Sequence, residues 1–462
     1  MNYRFSLYIL FLFTTLLLGC KNQKQPIAVK VNSQAKNLLL VIVDDLNKTL
    51  GCYGHPTIKT PNVDRLAEMG IQFNHAYSNY AVCNPSRSSF LTGLYPQTTQ
   101  ILDNRKGIQS TLGDHKTLPA LFKHNGYYTV SLGKIFHTNE AKHNDLKAWD
   151  EINDYGPTPL GEKGEKRNLT DGVLKWCWWM AAEGTDEDQG DGQTARRAVE
   201  ILEAKRDKPL FLAVGLKKPH DPFIAPKKYF DMYPLEEVQL PELPKDWSPP
   251  FDHTLPPETE QFDQFTELDK KEFLRSYYAC TSFMDAQLGK ILDALERTNA
   301  IENTLIVFMG DHGYHLGEHN WWNKVTLFER GTSAPFIVSG PEVQSKVKSN
   351  VAMIEFVDLY PTLVDYFSLE DASSNLEGKS FVANFQKPER AHRAEVYAVI
   401  NRGDMMGRTI KNEEWRYVEW DGGNQGVELY DQSNDPMEYH NQADNPEFKN
   451  VIEQMSSLLE RH

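Results

Sequence analysis

A chain of 462 residues, 40% hydrophobic and 24% charged, is long enough for a large buried core with a smaller domain beside it. Its 49 basic against 64 acidic residues give a formal charge of −15, which excludes the basic footprint of a general nucleic-acid binder. A polyanionic ligand is not excluded, because a local cluster of Lys, Arg and His can invert the field inside one pocket.

In chain order the first element is a targeting segment. Arg4 precedes FSLYILFLFTTLLL, an apolar run that is short for a bilayer span. The run ends in LLGC and meets the polar KNQKQP at once. Residues 1–20 therefore resemble a bacterial lipoprotein signal, in which Cys20 becomes the lipidated first residue of the mature chain. That resemblance implies export to the periplasm or outer membrane, with a lipid anchor in the membrane. An ordinary export signal with an incidental cysteine is the alternative, and Leu18 is not the small residue usual two positions before such a cysteine. Residues 21–35 read as a polar tether. The remaining cysteines, Cys52, Cys83, Cys177 and Cys280, show no disulfide framework, and their pairing stays open.

Continuous apolar runs predict buried strands at NLLLVIVDD (37–45), FLAVG (211–215) and TLIVFMGDHG (304–313). The first and last end in acids, at the strand end where open parallel sheets gather their active sites. Between 273 and 297, Phe273, Tyr277, Cys280, Met284, Leu288, Ile291 and Leu295 recur at three- and four-residue steps, which predicts a helix. Strands alternating with helices over 36–400 predict an α/β sandwich with a parallel-dominated sheet. The Pro- and acid-rich stretch 235–260 reads as a surface excursion. Beyond about residue 400 the texture changes. RTIKNEEWRYVEW and VELYDQ alternate around DGGNQG, and residues 446–461 read as a terminal helix, so 401–462 is expected to be a small α+β subdomain with an antiparallel sheet.

Asp44 and Asp45 close the first strand. Adjacent carboxylates at a buried strand end repel each other unless a cation or strong donors compensate. A divalent metal is one remedy; the other is that one acid caps a turn while its neighbour faces water. Asp311 and His312, at the matching end of the later strand, add weight to the metal, and oxygen donors suit Ca²⁺ or Mg²⁺.

The stretch AVCNPSRSSFLTG (81–93) contains Cys-x-Pro-Ser-Arg. Together with LLLVIVDDLNKTLGCYG, TPNVDRLAEMG, GKIFH, FLAVGLKKPHDPF, GDHGYHLGEHNWWNK and ELYDQSNDP, it resembles the formylglycine-dependent sulfatases, in particular their iduronate 2-sulfatase branch. The resemblance implies an alkaline-phosphatase-like α/β/α sandwich. It also implies that a formylglycine-generating, sulfatase-maturating enzyme oxidises Cys83 to formylglycine (3-oxoalanine). The hydrated aldehyde attacks sulfur with one oxygen and, through the other, expels sulfate, which a plain serine cannot do.

Carried over by motif, Asp44, Asp45, Asp311 and His312 are metal ligands with the modified Cys83 completing the shell, and Ca²⁺ is expected over Mg²⁺. Arg87 holds the formylglycine. Lys134 binds sulfate and His137 handles the diol proton; His220 and Lys324 grip sulfate and protonate the departing oxygen. Cations and an acid of near-neutral pKa suit the charge that builds on the sulfuryl and leaving oxygens. Many sulfatases carry Asn where His312 stands, so His312 is either a ligand or a sulfate contact. The expected substrate is a sulfated polysaccharide or oligosaccharide, a glycosaminoglycan or an algal polymer such as ulvan. Asn104, Arg105, His319, Trp321 and Trp322 are expected to grip carboxylates or stack on sugar rings. Two alternatives stand beside this reading: a metal-dependent phosphatase or phosphodiesterase, and a lipoprotein that binds sulfated glycans without cleaving them. Neither needs Cys83 within its full signature.

Overall fold

The computed structural model describes residues 36–111 and 113–462. The targeting segment 1–20 with Cys20, and the tether 21–35, lie outside the described residues. In chain order the strands are β1 (Asn37–Val43), β2 (Gly70–Tyr77), β3 (Tyr128–Gly133), β4 (Glu151–Asn153), β5 (Gly164–Asn168), β6 (Trp178–Ala182), β7 (Leu210–Leu216) and β8 (Phe223–Pro226). They continue with β9 (Thr304–Gly310), β10 (Phe336–Ser339), β11 (Val347–Glu355), β12 (Val396–Arg402), β13 (Met405–Lys411), β14 (Trp415–Trp420) and β15 (Val427–Asp431).

Eight of them form one sheet in the order β11-β2-β10-β9-β1-β7-β3-β4. Every neighbouring pair is parallel except the two made by β10, which runs antiparallel to both β2 and β9. The apolar runs read as buried strands are central here because both of their faces are covered. Leu38, Leu40 and Ile42 of β1 enter one core, while Leu39, Val41 and Val43 enter another on the opposite face. The period of two that alternates side chains across a strand thus feeds two apolar layers instead of one.

Helices close both layers. On one face pack Cys83–Thr92, Leu118–His124 and Leu359–Phe367, through Phe90, Leu91, Leu121, Phe122 and Leu363. On the other lies the long helix Glu267–Arg297, through Met284, Leu288, Ile291, Leu292 and Leu295. It begins six residues ahead of the periodic stretch, where Thr266 caps it by accepting from the Asp269 amide while the Asp269 side chain accepts from the Thr266 amide. The apolar period carries no trace of that polar first turn. The excursion 235–260 is tied down by Val238 and Leu255, which join an aromatic core with Phe262, Phe273 and Trp322.

The C-terminal sheet β12-β13-β14-β15 is antiparallel throughout, with the terminal helix Lys449–Leu459 packed on it through Met455 and Leu459. Its first strand starts at Val396, within the stretch assigned by sequence to the main domain. Tyr80, Ala81 and Leu327, all close in sequence to candidate site residues, share the core of this sheet.

Candidate active site

Four adjacent parallel strands, in the spatial order β9-β1-β7-β3, end on the same edge of the sheet. Val43 pairs with Gly310, so Asp44–Asp45 and Asp311–His312 leave neighbouring strands side by side. β7 leads into Lys217–His220, and β3 leads into Lys134, whose amide donates to the Gly215 carbonyl at 3.1 Å. One edge therefore presents every metal and sulfate candidate that follows a strand.

Cys83 and Arg87 come from another direction. They lie one turn apart on the helix Cys83–Thr92, with every residue of that helix buried. Cys83 is its first residue, and Gly93 ends it in the left-handed region at φ 70°, with a Cβ there meeting Leu376 and Tyr360. Ser86 Oγ donates to the Asp311 carbonyl and anchors the helix to the sheet edge.

Arg87 is the hub. Its Nε lies 2.9 Å from Asp311 Oδ2 and its Nη2 3.0 Å from Asp44 Oδ1, while Nη1 donates to the carbonyls of Lys134 and Ile135. Burial works against its charge, but Asp311 and Asp44 outweigh it and raise the pKa. Lys134 Nζ meets Asp44 Oδ2 at 2.6 Å. Lys324 Nζ donates to Asp45 Oδ1 and lies 3.2 Å from Cys83 Sγ. Burial raises the Asp44 carboxyl, yet Lys134, His220 and Arg87 together hold it well below the usual carboxylate range. Lys324 is held well above its ordinary value, burial opposing and Asp45 prevailing.

The three histidines take different states. His220 donates from Nδ1 to the Asp221 carbonyl at 2.5 Å, which turns Nε2 toward Asp45 Oδ2 (3.8 Å) and Asp44 Oδ2 (3.9 Å). Against the cost of burial, the two acids raise it to about 9, so it is protonated at neutral pH. His137 is pushed the other way, down to about 3, first by burial and then by Lys134 and Arg87. It is a neutral ring. His312 donates from Nδ1 to the Gly313 carbonyl at 2.9 Å, which leaves the Nε2 lone pair facing Cys83 Sγ (3.5 Å) and Asp45 Oδ1 (3.4 Å). A carbonyl that fixes one ring nitrogen as donor is the usual way a histidine is prepared to bind a metal through the other.

The donor set fits a divalent cation. Asp44, Asp45, Cys83 and His220 bring one ligand atom each within 4.8 Å of one another, as do Cys83, Asp311 and His312. Asp45 Oδ2 is fully buried and accepts no hydrogen bond among the described residues, an arrangement costly without a cation. Asp45 itself sits in the left-handed region at φ 59°, held by the Tyr277 hydroxyl on its carbonyl (2.8 Å) and by its amide on Asp311 Oδ1 (3.0 Å). Such strain in a non-glycine residue persists only where the surroundings over-determine it. Half of these six donors are carboxylates, which suit a hard ion.

Three expected substrate contacts are overturned. His319, Trp321 and Trp322 have exposures of 0%, 1% and 2%, so none can meet a sugar. His319 stacks on Phe328 at 3.9 Å and Trp322 packs on Phe273 at 5.1 Å. Trp321 Nε1 donates to the Lys324 carbonyl at 2.8 Å, so it supports a cation of the site. Trp and His in a polar-looking loop suggested a sugar platform, but burying three large rings in the aromatic core beneath it is worth more. Asn104 is exposed and its Oδ1 accepts from the Asn84 amide (3.1 Å), beside the start of the Cys83 helix. Arg105 points to solvent with its side chain 90% exposed and pairs with Asp103.

A cleft of about 370 Å³ opens beside the cluster, lined by Asp44, Lys134 and His220 together with Tyr155, Gln189, Lys217 and Asp221. Sequence reasoning missed the last four and Tyr277. Asp221 adjoins a motif histidine and could have been noticed; Tyr155 and Gln189 sit in loops with no pattern, and only the fold carries them here. A roomier cleft, about 520 Å³ around Lys48, His55 and Tyr278, contains none of the candidate site residues.

Comparison with known proteins agrees with this geometry. The sulfatase family model matches residues 36–369, and a model described as N-sulphoglucosamine sulphohydrolase, C-terminal, matches 317–462. A sulfatase of Formosa agariphila is 34% identical over 96% of this chain and 90% of its own length. Human iduronate 2-sulfatase is 30% identical over 88% of this chain and 91% of its own. Among solved structures, one in complex with its substrate D-glucosamine-2-N,6-O-disulfate superposes with a TM-score of 0.73 over 92% of this chain and 97% of that one, at 21% identity, and shows the shared alkaline-phosphatase-like fold. Sulfatases generally work with formylglycine and a divalent metal, and the cysteine, the acids and the cations needed for both stand at one sheet edge here. On this agreement of sequence, fold and site, the chain belongs to the sulfatase family and is a sulfuric ester hydrolase.

Proposed function

We propose that the chain, once Cys83 is converted by a formylglycine-generating enzyme, removes sulfate esters from a sulfated glycan containing uronic acid, with Ca²⁺ as its metal. The observation that carries this reading is the seat of Cys83. Its Sγ lies 3.2 Å from Lys324 Nζ and 3.5 Å from His312 Nε2, beside the buried Asp44, Asp45 and Asp311. Human iduronate 2-sulfatase, 30% identical, supports the uronate-containing substrate class. The carboxylate donors support Ca²⁺. The LLGC motif supports export and lipid anchoring at Cys20, in the periplasm or at the outer membrane.

Formylglycine at position 83 would supply, as its hydrate, an oxygen nucleophile and a second hydroxyl. Asp44, Asp45, Asp311 and His312 would hold a divalent ion, which would supply positive charge to the sulfuryl group. The chain's own residues do the rest. Lys134 and Lys324 bring ammonium groups to the charge that grows on the sulfuryl group, in a site already shaped for it. Arg87, locked between Asp44 and Asp311, keeps both carboxylates aimed. His137, the ring that the motif assigns to the diol proton, is neutral at working pH. His220, protonated, can give a proton to the departing sugar oxygen.

The test is sulfate release from defined oligosaccharides of glycosaminoglycan and ulvan origin by converted protein. The expected result is release from a uronate-containing oligosaccharide in the presence of Ca²⁺, with aryl sulfate cleaved and aryl phosphate left intact. Release from no sugar sulfate, or preference for the phosphate, would overturn the reading.

A further inference from the structure

His220 serves the departing oxygen only while its ring stays where the fold puts it. Its Nδ1 donates to the carbonyl of Asp221, the next residue in the chain, so the ring goes wherever its loop goes. That loop is 217–222, between β7 and β8. It is fixed from outside by a residue to which no role has been given. Asp191 is 4% exposed and stands in the first turn of the helix Gly190–Glu203. Its Oδ1 accepts from the Lys217 amide at 3.0 Å, and its Oδ2 accepts from the Lys218 amide at 2.8 Å.

These bonds reach His220 through one residue. Lys217 is held at its amide by Asp191, and its carbonyl accepts from the His220 amide at 2.9 Å. From the other end, Lys218 Nζ donates to the His220 carbonyl at 2.8 Å and to the Pro222 carbonyl at 2.5 Å. The backbone of His220 is thus tied at both of its polar atoms. Every donor here is an N–H group and every acceptor a carboxylate or carbonyl oxygen, so the direction of each bond is fixed. The helix that bears Asp191 is itself packed, with Ala195, Ala198 and Ile201 in the same core as Val214 and Leu216 of β7. An acid in a first helical turn also favours its own helix, but that effect needs neither burial nor two amides from another segment.

We propose that Asp191 is a positioning residue for His220: by holding the amides of Lys217 and Lys218 it places the His220 ring for proton transfer to the departing oxygen. In that step the bond between sulfur and the departing oxygen breaks, its electron pair stays on that oxygen, and the Nε2 proton of His220 joins it. A general acid works only within hydrogen-bond reach, about 2.6–3.2 Å, and a displacement of about 1 Å can cost about 100-fold in rate. This rests on the role of His220 given above; the experiment separates the two.

The test is kcat/KM of converted enzyme on phenyl sulfate and 4-nitrophenyl sulfate, because 4-nitrophenolate departs readily without an acid and phenolate does not. Asp191→Asn keeps the shape but offers one acceptor oxygen where two are used. Lys218→Met keeps the stem and removes the two bonds at the far end of the loop. Each variant is expected to lose about tenfold on phenyl sulfate and less than about threefold on 4-nitrophenyl sulfate, the same selectivity as His220→Ala. D191N placed in H220A is expected to add no further loss. A merely destabilised enzyme would lose both esters alike. Where H220A shows the selectivity, equal losses on the two esters in D191N overturn the proposal, as do losses that add in the double variant. If D191N does not fold, K218M decides by the same two criteria. If H220A lowers both esters alike, the acid role of His220 fails, and additivity in the double variant alone decides whether Asp191 positions His220.

Discussion

Lys324 Nζ stands between Cys83 Sγ, 3.2 Å away, and the carboxylate of Asp45. One ammonium group thus touches both the residue to be converted to the nucleophile and an acid of the metal cluster. It is in place before any substrate arrives, so its charge costs no reorganisation during the reaction. Lys324→Ala is expected to lower kcat/KM by about 100-fold or more, measured as sulfate release. A loss under threefold would show that this contact has no part in turnover.

Asp45 Oδ2 has no hydrogen-bond partner among the described residues, so a bound cation should stabilise the fold as well as the chemistry. Ca²⁺ at about a hundredfold excess over its Kd is expected to add about 2.7 kcal/mol to the chelated chain, visible as a raised Tm by circular dichroism. Asp45→Asn should lose most of that rise. A Tm that Ca²⁺ does not move would count against a metal at this position.

His220 carries a stability signature in the chelated chain. Burial opposes its charge but Asp45 and Asp44 raise it to about 9, against about 6.5 when unfolded. A group raised in the folded state contributes stability that is complete below about pH 6.5 and is lost as pH climbs through about 9. Urea midpoints of the chelated chain should therefore fall across this window, and His220→Gln should flatten that part of the profile. Identical slopes in the two chains would refute the assignment.

Trp321→Phe separates support of the site from contact with sugar. The ring stays in the aromatic core while the bond from Nε1 to the Lys324 carbonyl is lost, a contact worth about 1 kcal/mol. We expect kcat to drop several-fold on aryl sulfate and sugar sulfate alike. A loss confined to sugar substrates would restore Trp321 as a sugar contact.

Much of the architecture was legible because it is written in short-range pattern. β1, β7 and β9 are continuous apolar runs, and continuous runs occur where both faces are covered. The long helix was legible from Phe273 to Leu295, but its first turn, which is polar and capped by Thr266, was not. The antiparallel placement of β10 left no local trace at all, since strand direction within a sheet depends on the path of the chain. At the site, the acids at strand ends and the Cys83–Arg87 spacing were readable. His319, Trp321 and Trp322 were misread because residue type reports what a side chain could do and says nothing about whether solvent reaches it.

The amino-acid sequence alone determined the chemistry on offer: a cysteine in its conversion signature, carboxylates where buried strands stop, and lysines and histidines in recurring motifs. Only the tertiary structure decided who meets whom. Residues as distant in the chain as Asp44 and Asp311 become neighbours because β1 and β9 run parallel in matching register, and Arg87 joins them with bonds to both. Short-range forces can be read along a chain, but electrostatic compensation and burial depend on long-range contacts, and those exist only once the sheet has formed.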